Sequence, residues 1–224
     1  MPTDQDIADL CCGIYAYPGE APIAWDYLSE ASGFTGVRFG VKYFDDADVF
    51  IFRGTYDPAE WLVDLDFIVA PSVDARLGQV HNGFLLFMGA VWVKAKSLRR
   101  PEKQLWVGGH SLGAARADVF CGLAILDGDV PTGRVVFGEP YPGFASFCDL
   151  LNPIPWQSSY CNEDEGGHDL VTDSPIPSPP RLPFRRPTPL IHLYQAPALG
   201  DNGAARYHHM QLYRSAPGKR TKEC

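Results

Sequence analysis

The sequence lacks any run of eighteen or more apolar residues, so nothing in its 224 residues reads as a helix that spans a bilayer. It is also short of positive charge. Nineteen Lys and Arg against 27 Asp and Glu leave a net charge of -8, which argues against nucleic acid or an anionic membrane surface as the main partner. The opening MPTDQDIADLCCGIYAY carries Asp4, Asp6 and Asp9 where a secretory signal carries Lys or Arg, so no conventional export signal is read there. The expectation is a cytoplasmic protein, or one released by another route, such as a phage-encoded protein or an effector. The six cysteines form no C-x-x-C pair, and reduced thiols are expected; the neighbours Cys11 and Cys12 read as core packing. The acidic run NEDEGGHDLVTD (162–173) lacks the alternating oxygen ligands of a calcium loop, and no helix face pairs His or Cys ligands. No metal and no organic cofactor are expected.

What is present is apolar content: 46% hydrophobic residues over this length can bury one substantial core. Ile7, Leu10, Cys11 and Ile14 recur at helical spacing, predicting an amphipathic helix over 5–17 within an N-terminal helical extension, residues 1–30. VRFGVKYF and DVFIFRG alternate as a strand pair. Asn82 to Arg100 is apolar around most of its circumference and reads as one buried helix ending in basic residues, where the helix dipole favours them. Short apolar strands then alternate with helices: strand 104–109, helix 112–126, strand 133–138, helix 142–151, strand 158–162. That alternation predicts βαβ units, and hence an α/β fold with a mostly parallel central sheet covered by helices on both faces, as a single domain over 1–224. The Pro-rich segment 173–189 is expected to run extended over the surface, followed by a strand at 190–195 and a helix at 202–214.

One motif carries chemistry. Gly109, His110, Ser111, Leu112 and Gly113 spell G-x-S-x-G between an apolar strand and an amphipathic helix. The pentapeptide alone occurs by chance in about one chain in ten to fifteen of this length, taking Gly and Ser each at about 7%. Its position gives it meaning. A sharp strand-to-helix turn lifts the serine Oγ above the sheet edge, and the helix N-terminus sets the Leu112 N–H where an oxyanion would form. A serine hydroxyl needs a base to take its proton and an acid to orient that base, in the chain order Ser, acid, His. After Ser111 the histidines are His168, His192, His208 and His209; the acids near strand ends are Glu139, Glu163, Asp164, Glu165, Asp169 and Asp173. Order alone leaves several answers.

Four segments in sequence resemble the class 3 lipases, the fungal triacylglycerol lipase and feruloyl esterase branch of the α/β-hydrolases, including bacterial or phage-type members. FIFRGTYDPAEWLVDLDF resembles the family's oxyanion and lid segment, VHNGFL its helix entry, VGGHSLGAARA its nucleophile elbow, and VFGEPYPGFASF the strand and turn that follow. HDLVTDSP is similar to the family's acid stretch, which implies Asp169 as the acid, with Asp164 and Asp173 as alternatives; Thr172 stands where that stretch usually has proline. YHHMQLY is similar to its late histidine motif, which implies His208 as the base, with His209 the alternative and Tyr207 replacing the usual Asp. On a helix the two rings would point about 100° apart, so only one can face Ser111.

The resemblance implies a serine carboxylester hydrolase that works through an acyl-enzyme, with oxyanion donors at Leu112 and Thr55. It also implies a lid or substrate-binding set of Tyr56, Trp61, Leu62 and His110. Residues 56–64 read equally as a mobile lid or as a fixed turn at the pocket entrance. The expected partner is an acyl ester or lipid substrate, with transient contact at a lipid interface. Medium-chain esters or glycerides are the first expectation, and feruloyl- or acetyl-type esters on a cell-wall or surface polymer the alternative. A catalytically silent hydrolase-like binding module is the reading from outside the enzymes.

Overall fold

The strand pair read from the alternation opens the central sheet of a computed structural model, which describes residues 1–17, 19, 21–29, 36–55, 69–70, 75–174, 184–194 and 207–214. Tyr27–Leu28 (β1) pairs antiparallel with Phe39–Tyr43 (β2), and β2 with Ala47–Phe52 (β3), Phe39 lying opposite Phe52. From β3 the sheet turns parallel. Gln104–His110 (β6), Gly133–Phe137 (β7), Trp156–Asp164 (β9) and Leu190–Tyr194 (β12) follow in spatial order, and Gly167–His168 (β10) folds back antiparallel on the end of β9. A smaller antiparallel sheet joins Val69–Ala70 (β4), Val80–His81 (β5), Gly143–Phe144 (β8) and Phe184–Arg185 (β11).

Alternate residues of the parallel strands enter two separate cores, as the pleat requires. Phe50, Phe52, Leu105, Val107 and Val136 pack in one cluster with helices Met88–Lys96 (α3), Leu112–Leu126 (α4) and Ala145–Leu150 (α5). Val49, Ile51, Trp106, Val135 and Phe137 pack on the opposite face with Asp4–Gly13 (α1) and the C-terminal Met210–Arg214 (α6). Each large apolar side chain fully buried this way contributes about 1.5–3 kcal/mol. A capping box starts α1: Asp6 N–H donates to the Thr3 hydroxyl and Thr3 N–H to the Asp6 carboxylate. Cys11 and Cys12 are buried in its core face, and burial pushes the Cys11 thiol well up.

Three local expectations are corrected. Asn82–Arg100 is two helices, Asn82–Leu85 (α2) and α3, broken where Phe87 takes a left-handed φ of 63°. The buried positions Phe84, Leu85, Met88, Val91, Trp92 and Ala95 keep one helical period across the break, so periodicity does not reveal it. The last turn of α3 carries the expected basic residues, Lys94 and Lys96, while Arg99 and Arg100 lie beyond it and clamp the buried Asp48 of β3, at 2.9 and 2.6 Å. Gly143 and Phe144 are drawn from the expected helix into the smaller sheet, and α5 starts at Ala145. Of the helix expected at 202–214, residues 202–206 lie outside the described residues, Tyr207 to His209 are non-helical, and the described helix is Met210–Arg214. Of the Pro-rich segment, residues 175–183 lie outside the described residues, and Phe184–Arg185 forms β11. No described helix is long and apolar enough to cross a membrane.

Candidate active site

Parallel strands share an edge at their C-terminal ends, and the loops leaving β3, β6 and β7 there carry Gly54–Thr55, Ser111 and Gly138–Glu139. Such an edge is where α/β sheets build their sites. Ser111 joins β6 to α4 with φ 63° and ψ -132°, a conformation that non-glycine residues rarely adopt and that costs on the order of 1–3 kcal/mol. The flanking glycines make the turn feasible: a Cβ on Gly113 would stand 2.1 Å from Phe52 O, and one on Gly109 2.2 Å from Gly113 O. Ser111 is fully buried, its N–H donates to Phe137 O at 3.0 Å, and its Oγ has no hydrogen-bond partner among the described residues.

Asp169 arrives because β9 outruns β7. The last register pair of those strands is Phe137 with Tyr160; beyond it the chain turns back as β10, and Asp169 N–H donates to Asn162 O at 2.9 Å. Its Oδ1 accepts the Val171 N–H at 3.0 Å, and its Oδ2 accepts His208 Nδ1 and the Tyr213 hydroxyl, both at 2.6 Å. Burial pushes this carboxyl up, but the facing His208 and the hydrogen bonds from His208 and Tyr213 outweigh it and hold Asp169 below the usual carboxylate range. Thr172, the departure from the family's proline, donates its hydroxyl to Asp169 O at 2.6 Å and so supports the same turn.

His208 is 1% exposed; Nδ1 is committed to Asp169, while Nε2 is buried without a hydrogen-bond partner among the described residues. The ring of His110, the residue before Ser111, stacks on it at 4.5 Å between centroids. Gly138, at φ 55°, backs the pair: a Cβ there would meet Asp169 Oδ2 at 2.7 Å and His208 Cε1 at 2.8 Å. The described site is therefore a buried serine hydroxyl and a buried imidazole nitrogen, both without partners, with a carboxylate behind the imidazole.

The alternatives sit elsewhere. His209 is exposed; Asp164 accepts from the Tyr207 hydroxyl and Gly166 N–H, and Asp173 pairs with His168 Nε2 at 2.7 Å. His192 faces outward from β12 and pairs with Glu163 at 2.8 Å. His110, expected among the substrate-binding residues, is 3% exposed, and both its ring nitrogens are bonded to protein, to Tyr15 Oη at 2.8 Å and His208 O at 2.7 Å. Thr55 is half-buried just past β3, while Tyr56, Trp61 and Leu62 lie outside the described residues. Among the described residues no group of three His, Cys, Asp or Glu could hold a metal, and the five described cysteines are all buried as free thiols.

Two features escape a sequence reading. Tyr15, just beyond α1, closes a buried network under the site, although nothing in the local sequence marks it. Arg134 of β7, completely buried, bridges Asp118 of α4 and Glu139, which also accepts from the Ser159 hydroxyl of β9. Lone charges inside the apolar runs GRVVFG and ADVFCGLAIL are the signal that could have found this pair.

The family model for lipase (class 3) matches residues 49–175, more than half of the chain. Among solved structures the chain is similar to Rhizomucor miehei triacylglyceride lipase, with 21% identity, covering 84% of this chain and 77% of that one at a TM-score of 0.63. It is similar to lipase II from Rhizopus niveus, with 20% identity, 85% and 80% coverage and a TM-score of 0.62. The lipase from Rhizopus microsporus var. chinensis gives 19% identity, 90% and 75% coverage and a TM-score of 0.61. Among curated proteins no sequence matches. These likenesses give the fold, and the matched model gives the family: the chain belongs to the class 3 lipases, carboxylic ester hydrolases on an α/β-hydrolase-type sheet.

Proposed function

We propose that the protein hydrolyses acyl esters with Ser111 as nucleophile, His208 as general base and acid, and Asp169 as the group that orients the imidazole. The observation that carries this reading is the complementary pair of buried atoms without a hydrogen-bond partner among the described residues, Ser111 Oγ and His208 Nε2, with His208 Nδ1 already held by Asp169. An Nδ1–H bonded to a carboxylate leaves the lone pair on Nε2, the tautomer a base requires. Ser111 Oγ attacks the ester carbonyl carbon and gives its proton to Nε2. The negative charge that develops on the carbonyl oxygen is met by the N–H groups of Leu112 and Thr55. Collapse breaks the C–O bond, Nε2 returns the proton to the leaving alcohol, and the acyl group stays on Ser111. Water then attacks, its proton passing through Nε2 to Ser111 as the carboxylic acid leaves.

Medium-chain acyl esters or glycerides are the proposed substrates. Activity on p-nitrophenyl esters of increasing acyl length tests both the chemistry and the pocket. Ser111→Ala and His208→Ala are expected below about one thousandth of the wild-type rate, and His209→Ala at the wild-type level. Full activity in Ser111→Ala refutes the proposal. Turnover confined to acetyl or feruloyl esters moves the substrate to polymer esters and leaves the chemistry standing.

A further inference from the structure

We infer that Tyr15 is a positioning residue for this reaction: through a buried relay with His110 it ties the Gly54–Thr55 loop and the His208 segment to the nucleophile elbow. The inference rests on the roles proposed above for Ser111, His208 and Thr55.

Donor and acceptor roles in the relay are fixed by elimination. A backbone carbonyl only accepts, so the 2.7 Å contact of His110 Nε2 with His208 O puts the ring proton on Nε2. Burial, with the adjacent His208, pushes the His110 imidazole well below its usual value, so it is neutral and Nδ1 holds a lone pair. That lone pair takes the Tyr15 O–H at 2.8 Å. The phenol oxygen in turn accepts the Gly54 N–H at 3.1 Å. Burial drives the Tyr15 phenol well up, so it keeps its proton and remains a donor. The path runs Gly54 N–H to Tyr15, Tyr15 O–H to His110, and His110 N–H to the His208 carbonyl.

Each end of this path lies one step from a reacting group. Anchoring the Gly54 N–H fixes the peptide immediately before the one that carries the Thr55 N–H. Anchoring His208 O fixes the backbone from which the imidazole hangs, in the non-helical stretch before α6; Asn162 Nδ2 holds the preceding carbonyl, Tyr207 O, at 3.1 Å. The same tautomer presents a neutral ring face to His208 as that residue takes up a proton. Tyr15 stands just beyond α1, outside residues 49–175, so the N-terminal helix delivers a hydroxyl to the site as well as covering the sheet.

The test combines kinetics with imidazole 15N NMR. In wild type at pH 7, His110 should carry its proton on Nε2, with Nδ1 bare and accepting; the opposite tautomer or a protonated ring overturns the inference. Tyr15→Phe should lower kcat about 10- to 100-fold, leave KM within about threefold, and disturb the His110 tautomer signal. A wild-type kcat, or a loss of thermal stability alone, overturns it. Where Tyr15→Phe does not fold, 3,5-difluorotyrosine at position 15 keeps the shape and changes the donor; the relay then requires both the His110 Nδ1 signal and kcat to move, and no response in either overturns it. A wild-type rate in Tyr15→Phe beside an inactive Ser111→Ala removes the relay alone, whereas an active Ser111→Ala removes the catalytic reading.

Discussion

At the scale of single residues the site is governed by how few alternatives each atom has. Asp169 Oδ2 accepts from both His208 and Tyr213, so Tyr213→Phe removes a hydrogen bond to a buried carboxylate. A loss of about 1.5–3 kcal/mol is expected, read by urea denaturation. Gly138→Ala forces a Cβ into contact with both Asp169 and His208 at a positive φ. Its activity should fall about 100-fold while the fold persists, since a displacement of about 1 Å in the proposed reacting groups carries that cost. The choice of His208 over His209 came from a motif register and not from helix geometry, because the helix begins only at Met210. What separates the two rings is burial, one inside and one in solvent. The part played by Tyr15 could not be read at all: its hydrogen-bond partners in the relay are 39 and 95 residues away, and no local pattern encodes such a contact.

At the scale of elements, βα alternation located β6, α4 and β7 closely, because apolar strands bounded by glycine and an amphipathic helix leave little freedom. Register with the smaller sheet did not show. Gly143–Phe144 pairs with β5 and β11 through backbone atoms, which composition does not report. The ion cluster that joins β7, α4 and β9 makes a sharper prediction. Arg134→Met strands the carboxylates of Asp118 and Glu139 in the core and should cost about 3–5 kcal/mol by denaturant unfolding. Replacing all three charges with apolar residues of matched volume should recover much of that loss, since a buried ion pair is often no more stable than its apolar substitute.

For the whole molecule, the two cores either side of one sheet follow from alternation in β3, β6 and β7, and this much of the architecture was legible. The proposed site reads most directly from sequence where it sits in a contiguous motif, as at Ser111, and less directly where loops from β9 and the C-terminus carry Asp169 and His208. Acid stability is a property of the whole chain that the buried groups set. His110 titrates in the folded state well below 6.5, so between those values the unfolded chain binds the proton and the folded chain does not; stability falls as pH drops below about 6.5. Asp169 acts lower. Its depressed carboxyl contributes stability above about 3.9 that is lost as pH falls through its folded value. Thermal melts from pH 7 to 5 should therefore show a decline that is shallower in His110→Gln. The central claim is that Ser111 is the nucleophile, and covalent capture tests it most directly. Treating the intact protein with a p-nitrophenyl phosphonate and locating the adduct by peptide mass spectrometry should give one phosphonyl group, on Ser111, with one equivalent of p-nitrophenol released. An adduct on another residue, or none under conditions where the protein turns over esters, contradicts the account.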